Sequence, residues 1–342
     1  MTRYALFAAV FVTACLLGME LVYRYQIVDC YLPELDAYTA PADLEPAGAK
    51  PTALVLGNSV SVVDGNYVGL LREDLPRYRF VNAAVGGSGS FQMRLIAPRR
   101  FAAFQPQLVI YQVAVGTNVF NARHVIQRDR TSPVRYYFWK TTDYLPVIGY
   151  INYRLGQMDL GWLSRSPAPP HPDAGAEEIF SVAKFTPSAR AMIAAAPSGI
   201  DDAIFLHGPQ AEDARTLIED IRATLFYCQP PLCRALILLV PHPVQAASTY
   251  VPRYEALGAT FSAADNLQTT DYPLAKMLAN ELRASPNISI INPLDEFQAR
   301  ERVGEAMYLV NDFHPTAAGQ HVLAQNVANA IGEVRVTANA PP

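Results

Sequence analysis

TALVLGNSV, residues 52–60, is an apolar run that stops at a glycine and gives way to two small polar residues. Such a run, bounded by a turn signal, describes a strand buried on both faces. The same pattern recurs in YRFVNAAV (78–85), PQLVIYQVAV (106–115), RALILLVP (234–241) and ISIIN (288–292). Between these runs the apolar residues take helical spacing, in NYVGLLREDL (66–75), FQMRLIAPRRFAAF (91–104), AEDARTLIEDIRATLFY (211–227) and LAKMLANELR (274–283). A last helix follows Pro315, with Val322, Leu323, Val327 and Ile331 on one face. Near-continuous apolar strands alternating with helices predict an α/β fold, a three-layer α/β/α sandwich with a parallel doubly wound, flavodoxin-like sheet over residues 52–334. Ligands of such folds bind beyond the carboxyl ends of the strands.

The chain has 342 residues, and 51% apolar content is ample for one large core. Charged residues make up only 17%, the net charge is −4, and no run of Lys and Arg is interleaved with aromatics. That composition argues against a phosphate-tracking surface, so no nucleic-acid partner is expected.

Ahead of the first strand, Arg3 precedes an apolar run from Tyr4 to Tyr23, broken only by Thr13 and Glu20. About 20 such residues cross a hydrocarbon core. With no A-x-A-like cleavage site after it, residues 1–24 are expected to be an uncleaved signal anchor, a single transmembrane helix. Two alternatives stand beside it: a lipoprotein signal at VTAC (12–15), which LLGMELVY disfavours by continuing apolar past the cysteine, and a buried core helix. Residues 25–51, rich in Pro, Ala and acids from Tyr31 onward, are expected to be a linker, and residues 335–342 a flexible tail. The aromatic clusters RYYFWK (135–140) and DYLPVIGYINYR (143–154) and the loop SPAPPHPD (166–173) break the alternation, which marks residues 119–205 as an insertion. It serves either as a substrate platform at the strand ends or as extra packing.

Cys228 and Cys233 flank a Pro-Pro turn, close enough to bridge, the alternative being two unpaired thiols. Cys30 has no obvious partner. No C-x-x-C or H-E-x-x-H pattern suggests a metal, and no cofactor is expected.

Chemistry-bearing residues collect at the strand ends. Ser59 follows the first strand, Gly86 and Gly87 the second, Asn118 the third, and His314 lies in LVNDFHPTAAGQ (309–320) after the last. GGSGS (86–90) fails G-x-S-x-G at Ser90, lacks the lysine of a phosphate loop, and is not G-x-G-x-x-G. Together the four stretches supply a hydroxyl nucleophile, an imidazole base and amide donors for an oxyanion, the parts of an acyl transfer.

In order and spacing these blocks resemble the SGNH, or GDSL, hydrolase family over most of residues 52–118 and 206–332. Gly57-Asn58-Ser59 stands for the first block, usually Gly-Asp-Ser, which implies Ser59 as nucleophile. The second block implies an oxyanion donor at Gly87, with Gly86 a close rival, and Gly116-Thr117-Asn118 implies the Asn118 amide as another, beside the Ser59 N–H. The last block, Asp-x-x-His, appears as Asn311 to His314. Asn58 in the first block, Val119 where the third block, Gly-x-Asn-Asp, usually ends in an acid, and Asn311 in the last replace three customary acids. A catalytic imidazole needs a partner on its second nitrogen. Asp312 is the acid expected to serve, the alternatives being Asn311, no partner, or Asp312 facing solvent or capping the following helix.

The resemblance implies a serine esterase or O-acyltransferase acting through an acyl-serine on acyl, mainly acetyl, esters of a cell-envelope glycan or a related small ester. The anchor implies a single-pass inner-membrane protein with its catalytic domain on the periplasmic side, where a membrane-bound acyltransferase is a further conceivable partner. The alternative is a catalytically silent member of the fold that binds a glycan or an envelope assembly partner.

Overall fold

The computed structural model describes residues 2–25, 27–28, 50–121, 141, 145, 147–148, 151, 179–282 and 285–338. Among these residues there are five strands, β1 (Thr52–Leu56), β2 (Arg79–Asn82), β3 (Leu108–Ala114), β4 (Arg234–Val240) and β5 (Ile288–Ile291). They form one parallel sheet in the order β2-β1-β3-β4-β5. Every residue of β1 and β3 is buried, whereas the edge strands β2 and β5 keep partly exposed positions. Strands covered on both faces have no wet side on which to place polar residues, which is why the central ones read as unbroken apolar runs.

The first helices are α1 (Thr2–Arg24), α2 (Tyr67–Asp74), α3 (Ser90–Phe104), α4 (Asn118–Asn121), α5 (Pro187–Ala195) and α6 (Gly199–Phe205). They are followed by α7 (Gln210–Leu225), α8 (Pro243–Ala246), α9 (Val251–Ala256), α10 (Pro273–Leu282), α11 (Leu294–Arg302) and α12 (Ala317–Ala338). The step from β1 to β2 runs one way across the sheet and the step from β2 to β3 runs back. Right-handed crossovers in opposite directions place their helices on opposite faces. Accordingly α2 packs against α12 in one layer, and α3 packs against α7 in the other. The growth of the sheet reverses between β1 and β3, and that switch point is where such sheets open a crevice.

Residues 179–205, the longest described stretch of the expected insertion, send several side chains into the core. Phe185, Ala189, Ile193, Ile200, Ala203 and Ile204 are buried, and α6 lies against α4, α7 and α10. Its apolar residues have helical spacing, but each helix is short and the neighbouring aromatic clusters mask the period. Those clusters lie almost wholly outside the described residues, as do linker residues 29–49 and Cys30. Helix α12 runs to Ala338, into the expected tail, with no Gly or Pro in Glu333–Ala338 to interrupt it.

Cys228 and Cys233 form a disulfide across the turn between α7 and β4, with Cα atoms 4.9 Å apart. At the other end of the chain, Tyr4–Arg24 has mean hydropathy 2.2 and is the one helix, among the described residues, long and apolar enough to cross a membrane. Glu20 near its end is buried, pairs with Arg24 at 2.8 Å and accepts the Val147 N–H at 3.0 Å.

The last helix docks closely at its start. A Cβ at Gly319 would lie 2.5 Å from the Met307 carbonyl oxygen and 2.8 Å from Pro315 Cβ, whereas one at Gly332 meets nothing within 4 Å. Gly319→Ala is therefore expected to destabilise by about 1–3 kcal/mol. Gly332→Ala is expected to be neutral or to stabilise by up to about 1 kcal/mol through helix propensity. Denaturant midpoints of the two variants, measured side by side, check this pair.

Candidate active site

At the end of β1 the chain must pass tightly over β3. A Cβ on Gly57 would stand 2.6 Å from Gln112 Oε1 and 2.9 Å from Ser61 Oγ, so only glycine fits. Gln112, fully buried in β3, accepts the Asn58 N–H at 2.9 Å through Oε1. The Asn58 side chain then works in two directions: Oδ1 accepts the Val60 N–H at 3.2 Å, and Nδ2 donates to Asn118 Oδ1 at 2.9 Å. Ser61 Oγ and Tyr67 OH share a 2.9 Å hydrogen bond, and Gln320 of α12 accepts the Tyr67 N–H at 3.0 Å. Held from these sides, the 3₁₀ turn Ser59–Ser61 presents a half-buried Ser59 at the switch point.

The histidine arrives from a loop closed on itself. Leu309 N–H bonds to the His314 carbonyl at 3.0 Å, Thr316 N–H bonds to Met307 O at 2.9 Å, and Tyr308 pairs with Pro315. His314 Nε2 lies 2.8 Å from Ser59 Oγ, and Nδ1 lies 2.8 Å from Asp312 Oδ1. The same Asp312 oxygen accepts the Phe313 N–H at 2.6 Å. Burial pushes the Asp312 carboxyl up, but the His314 bond and charge, the Phe313 N–H and the Thr186 hydroxyl outweigh it and hold the group below its ordinary value. An ionised acceptor at Nδ1 fixes the tautomer with the proton there, which leaves the Nε2 lone pair for the serine hydroxyl. Phe313 stacks on the imidazole at 4.4 Å.

Asn311 faces the other way. Its Oδ1 accepts the Ser181 N–H at 2.7 Å, its Nδ2 donates to Ile179 O at 3.2 Å, and its carbonyl accepts the Thr186 N–H at 3.0 Å. It clamps the 179–186 segment to the histidine loop. Asp312 does not cap α12; Thr316 does, its hydroxyl accepting the Gly319 N–H at 3.2 Å.

Asn118 opens α4 from the turn after β3. Its Oδ1 accepts both Asn58 Nδ2 and, at 2.8 Å, the Ala114 N–H, so Nδ2 is the atom left to donate. The glycine loop is tied to the serine turn: Val85 N–H bonds to Gly57 O at 3.0 Å, and the buried Ser88 hydroxyl reaches Gly57 O and Val85 O at 3.2 and 2.7 Å. Beyond it Gly86 and Gly87 are exposed, and Gly87 has φ 72°, a conformation that favours glycine. No acceptor within the described residues takes the N–H of Ser59 or of Gly87.

Sequence reasoning missed three supports of this site. Gln112 was visible as an amide inside the apolar run LVIYQVA, where a buried polar side chain demands a partner. Gln320 lies on the face of α12 turned to Tyr67 and carries no local signal. His242, just after β4, lies against Gly116: a Cβ there would be 3.1 Å from its ring, and Gly116 has φ 85°. Burial pushes the His242 pKa down to about 3, and its Nδ1 accepts the Val244 N–H at 3.4 Å.

No family model matches the chain. No curated protein matches it either. Solved structures are similar in chain path. A catalytic mutant of an acetylxylan esterase from Geobacillus stearothermophilus has TM-score 0.41 and 13% identity, over 84% of this chain and 96% of that one. The acetyl xylan esterase AlAXEase has TM-score 0.44 and 13% identity, over 82% and 99%. LAE5, an alpha/beta hydrolase enzyme from the metagenome of Lake Arreo, Spain, has TM-score 0.40 and 12% identity, over 84% and 97%.

Asn311→Ala removes the side-chain partner of two backbone groups, the Ser181 N–H and the Ile179 carbonyl, and at about 0.5–1.5 kcal/mol per hydrogen bond is expected to cost about 1–3 kcal/mol. Asn311→Asp is expected to do no better, because a carboxylate would face the Ile179 carbonyl where an amide now donates. Chemical unfolding of both variants checks this.

The pH dependence follows from His242. Its folded value of about 3 lies below the ordinary 6.5, so the unfolded chain takes up the proton first. The contribution is complete above pH 6.5 and is lost as pH falls toward 3, at up to about 1.4 kcal/mol per pH unit. Asp312, also depressed, adds to the loss below the ordinary carboxylate range. His242→Gln is expected to flatten the stability profile over that window, measured as unfolding free energy against pH.

Proposed function

We propose that the chain is a membrane-anchored serine esterase or O-acyltransferase of SGNH type that works through an acyl-serine. The observation that carries this reading is the unbroken relay Ser59 Oγ, His314 Nε2, His314 Nδ1, Asp312 Oδ1, with both links at 2.8 Å. Ser59 Oγ attacks the ester carbonyl carbon and His314 Nε2 takes its proton. The carbonyl electron pair moves to oxygen, where the Ser59 N–H, the Gly87 N–H and Asn118 Nδ2 receive it. The imidazolium, stabilised by Asp312, returns the proton to the departing alkoxide as the C–O bond breaks. Water or a sugar hydroxyl, deprotonated by His314, then releases the acyl group from Ser59. One oxyanion donor is worth about 10²–10³ in rate.

The missing acid at position 311 motivates the silent-binder reading, and Asp312 offsets that loss one residue later. The apolar α1 and the Cys228–Cys233 disulfide support an extracytoplasmic domain anchored in the inner membrane, since disulfides persist in oxidising compartments. There the substrates would be acyl esters, acetyl first, of an envelope glycan, with a membrane-bound acyltransferase as a candidate source of acyl groups.

The full-length protein is expected to be labelled by an active-site serine phosphonate and to hydrolyse short-chain acyl esters. Ser59→Ala is expected to abolish labelling and lower kcat on the order of 10⁶. Asp312→Asn is expected to lower kcat by about 10⁴ with KM little changed. Labelling that survives in Ser59→Ala, or that moves to Ser88, would overturn the assignment.

A further inference from the structure

Apart from the catalytic edge, α6 and the residue that ends it gather a different set of groups. Leu206, at φ 57°, breaks the helix and turns the chain back, so that His207 N–H bonds to Asp202 O at 2.9 Å. The imidazole then faces two carboxylates: Nδ1 is 3.8 Å from Asp201 Oδ2 and 3.7 Å from Asp202 Oδ1. One ligand-type atom from each of the three residues lies within 4.8 Å of the others. These separations are too long for hydrogen bonds. Two ligands each about 2.1 Å from one zinc ion at tetrahedral angles stand about 3.4 Å apart, so only a slight closing is needed.

A second observation points to a cation. Asp201 is 2% exposed; Oδ2 accepts the Ser262 hydroxyl at 2.6 Å, while Oδ1 is buried and makes no hydrogen bond. Among the described residues, no lysine or arginine pairs with it. A carboxylate withdrawn from water and held by a single hydroxyl is costly unless a positive charge compensates it. The half-exposed His207 is too distant to hydrogen-bond it. The surroundings are ordered as metal sites usually are, with outer groups fixing the ligands. Ser262 holds Asp201, the Ser198 hydroxyl donates to Asp202 Oδ2 at 2.7 Å, and Phe205 stacks on the His207 ring at 5.6 Å.

We propose that Asp201, Asp202 and His207 bind a divalent cation of the zinc class, with water completing the coordination. One imidazole and two carboxylates suit zinc, whereas calcium takes six to eight oxygens and rarely accepts nitrogen. The ion would be structural. It would neutralise Asp201 and fasten α6 to the loop that carries Ser262, which is already joined by the Thr260 N–H to Pro197 O at 2.9 Å. Because α6 packs on α4, whose first residue is Asn118, the ion would brace the catalytic edge from behind without touching it.

The test uses full-length protein in detergent, stripped with a chelator and titrated with zinc or calcium, read by calorimetry and by thermal unfolding. Wild type is expected to bind one zinc and to show a raised Tm that a chelator reverses, with no response to calcium. The exposed His207→Ala and the near-isosteric Asp201→Asn are each expected to weaken zinc binding by about 100-fold. Two results would overturn the site: no saturable zinc binding by folded wild type, or equal zinc affinity in wild type and in a variant that combines His207→Ala with Asp201→Asn. Neither readout depends on ester hydrolysis, so the outcome is independent of the catalytic assignment.

Discussion

The Asn58 N–H ends on the side-chain oxygen of Gln112, in the middle of the buried central strand β3. That bond draws the turn after β1 down onto its neighbour, and the rest of the site follows. Gly57 has to be glycine because the approach leaves no room for a Cβ. The Asn58 amide is brought within 2.9 Å of Asn118, where it donates to Oδ1 and so decides which end of that second amide is left to donate. An aspartate at 58 would set oxygen against oxygen there. Asn58 is thus matched to the partner it faces, and Ser59 between these groups is held by the bonds of its neighbours as well as by its own.

The histidine loop shows a similar division of labour between neighbours. Asn311 and Asp312 adjoin in sequence, yet the tight turn through Leu309–His314 sends their side chains to different partners. Asn311 spends its amide on the backbone at Ile179 and Ser181, and Asp312 gives its carboxylate to the imidazole. The two are linked through Thr186, which bonds the Asn311 carbonyl and contributes its hydroxyl to Asp312. The 179–186 segment therefore also helps to fix the acid, and stability and the proposed catalysis share a few adjacent residues.

Much of the architecture was legible because burial on both faces imposes one composition on a strand. TALVL, LVIYQVA and RALILLV could hardly be anything else in a chain with these intervening helices. The candidate serine, histidine and Asn118 were legible for a related reason: in a parallel sheet, polar residues just past the strands gather at one edge. Apart from Gln112, what escaped notice lacked a local pattern. Helices α5 and α6 are too short to establish a period, Gln320 acts across the fold from α12, and His242 looks like any residue beside prolines until Gly116 is seen against it.

By itself, then, the sequence determined the order and type of the elements, the apolar N-terminal helix and the set of chemically able residues, since these depend on local periodicity and on hydrophobicity. Only the tertiary structure decided which of Asn311 and Asp312 meets His314, how the Asn118 amide is turned, and that Asp201 lies buried near His207 with one oxygen unbonded. Those outcomes depend on distances between groups far apart in the chain, or on the path of a single turn. Hydrogen bonds are sensitive to differences of a few tenths of an ångström that spacing along a sequence does not specify.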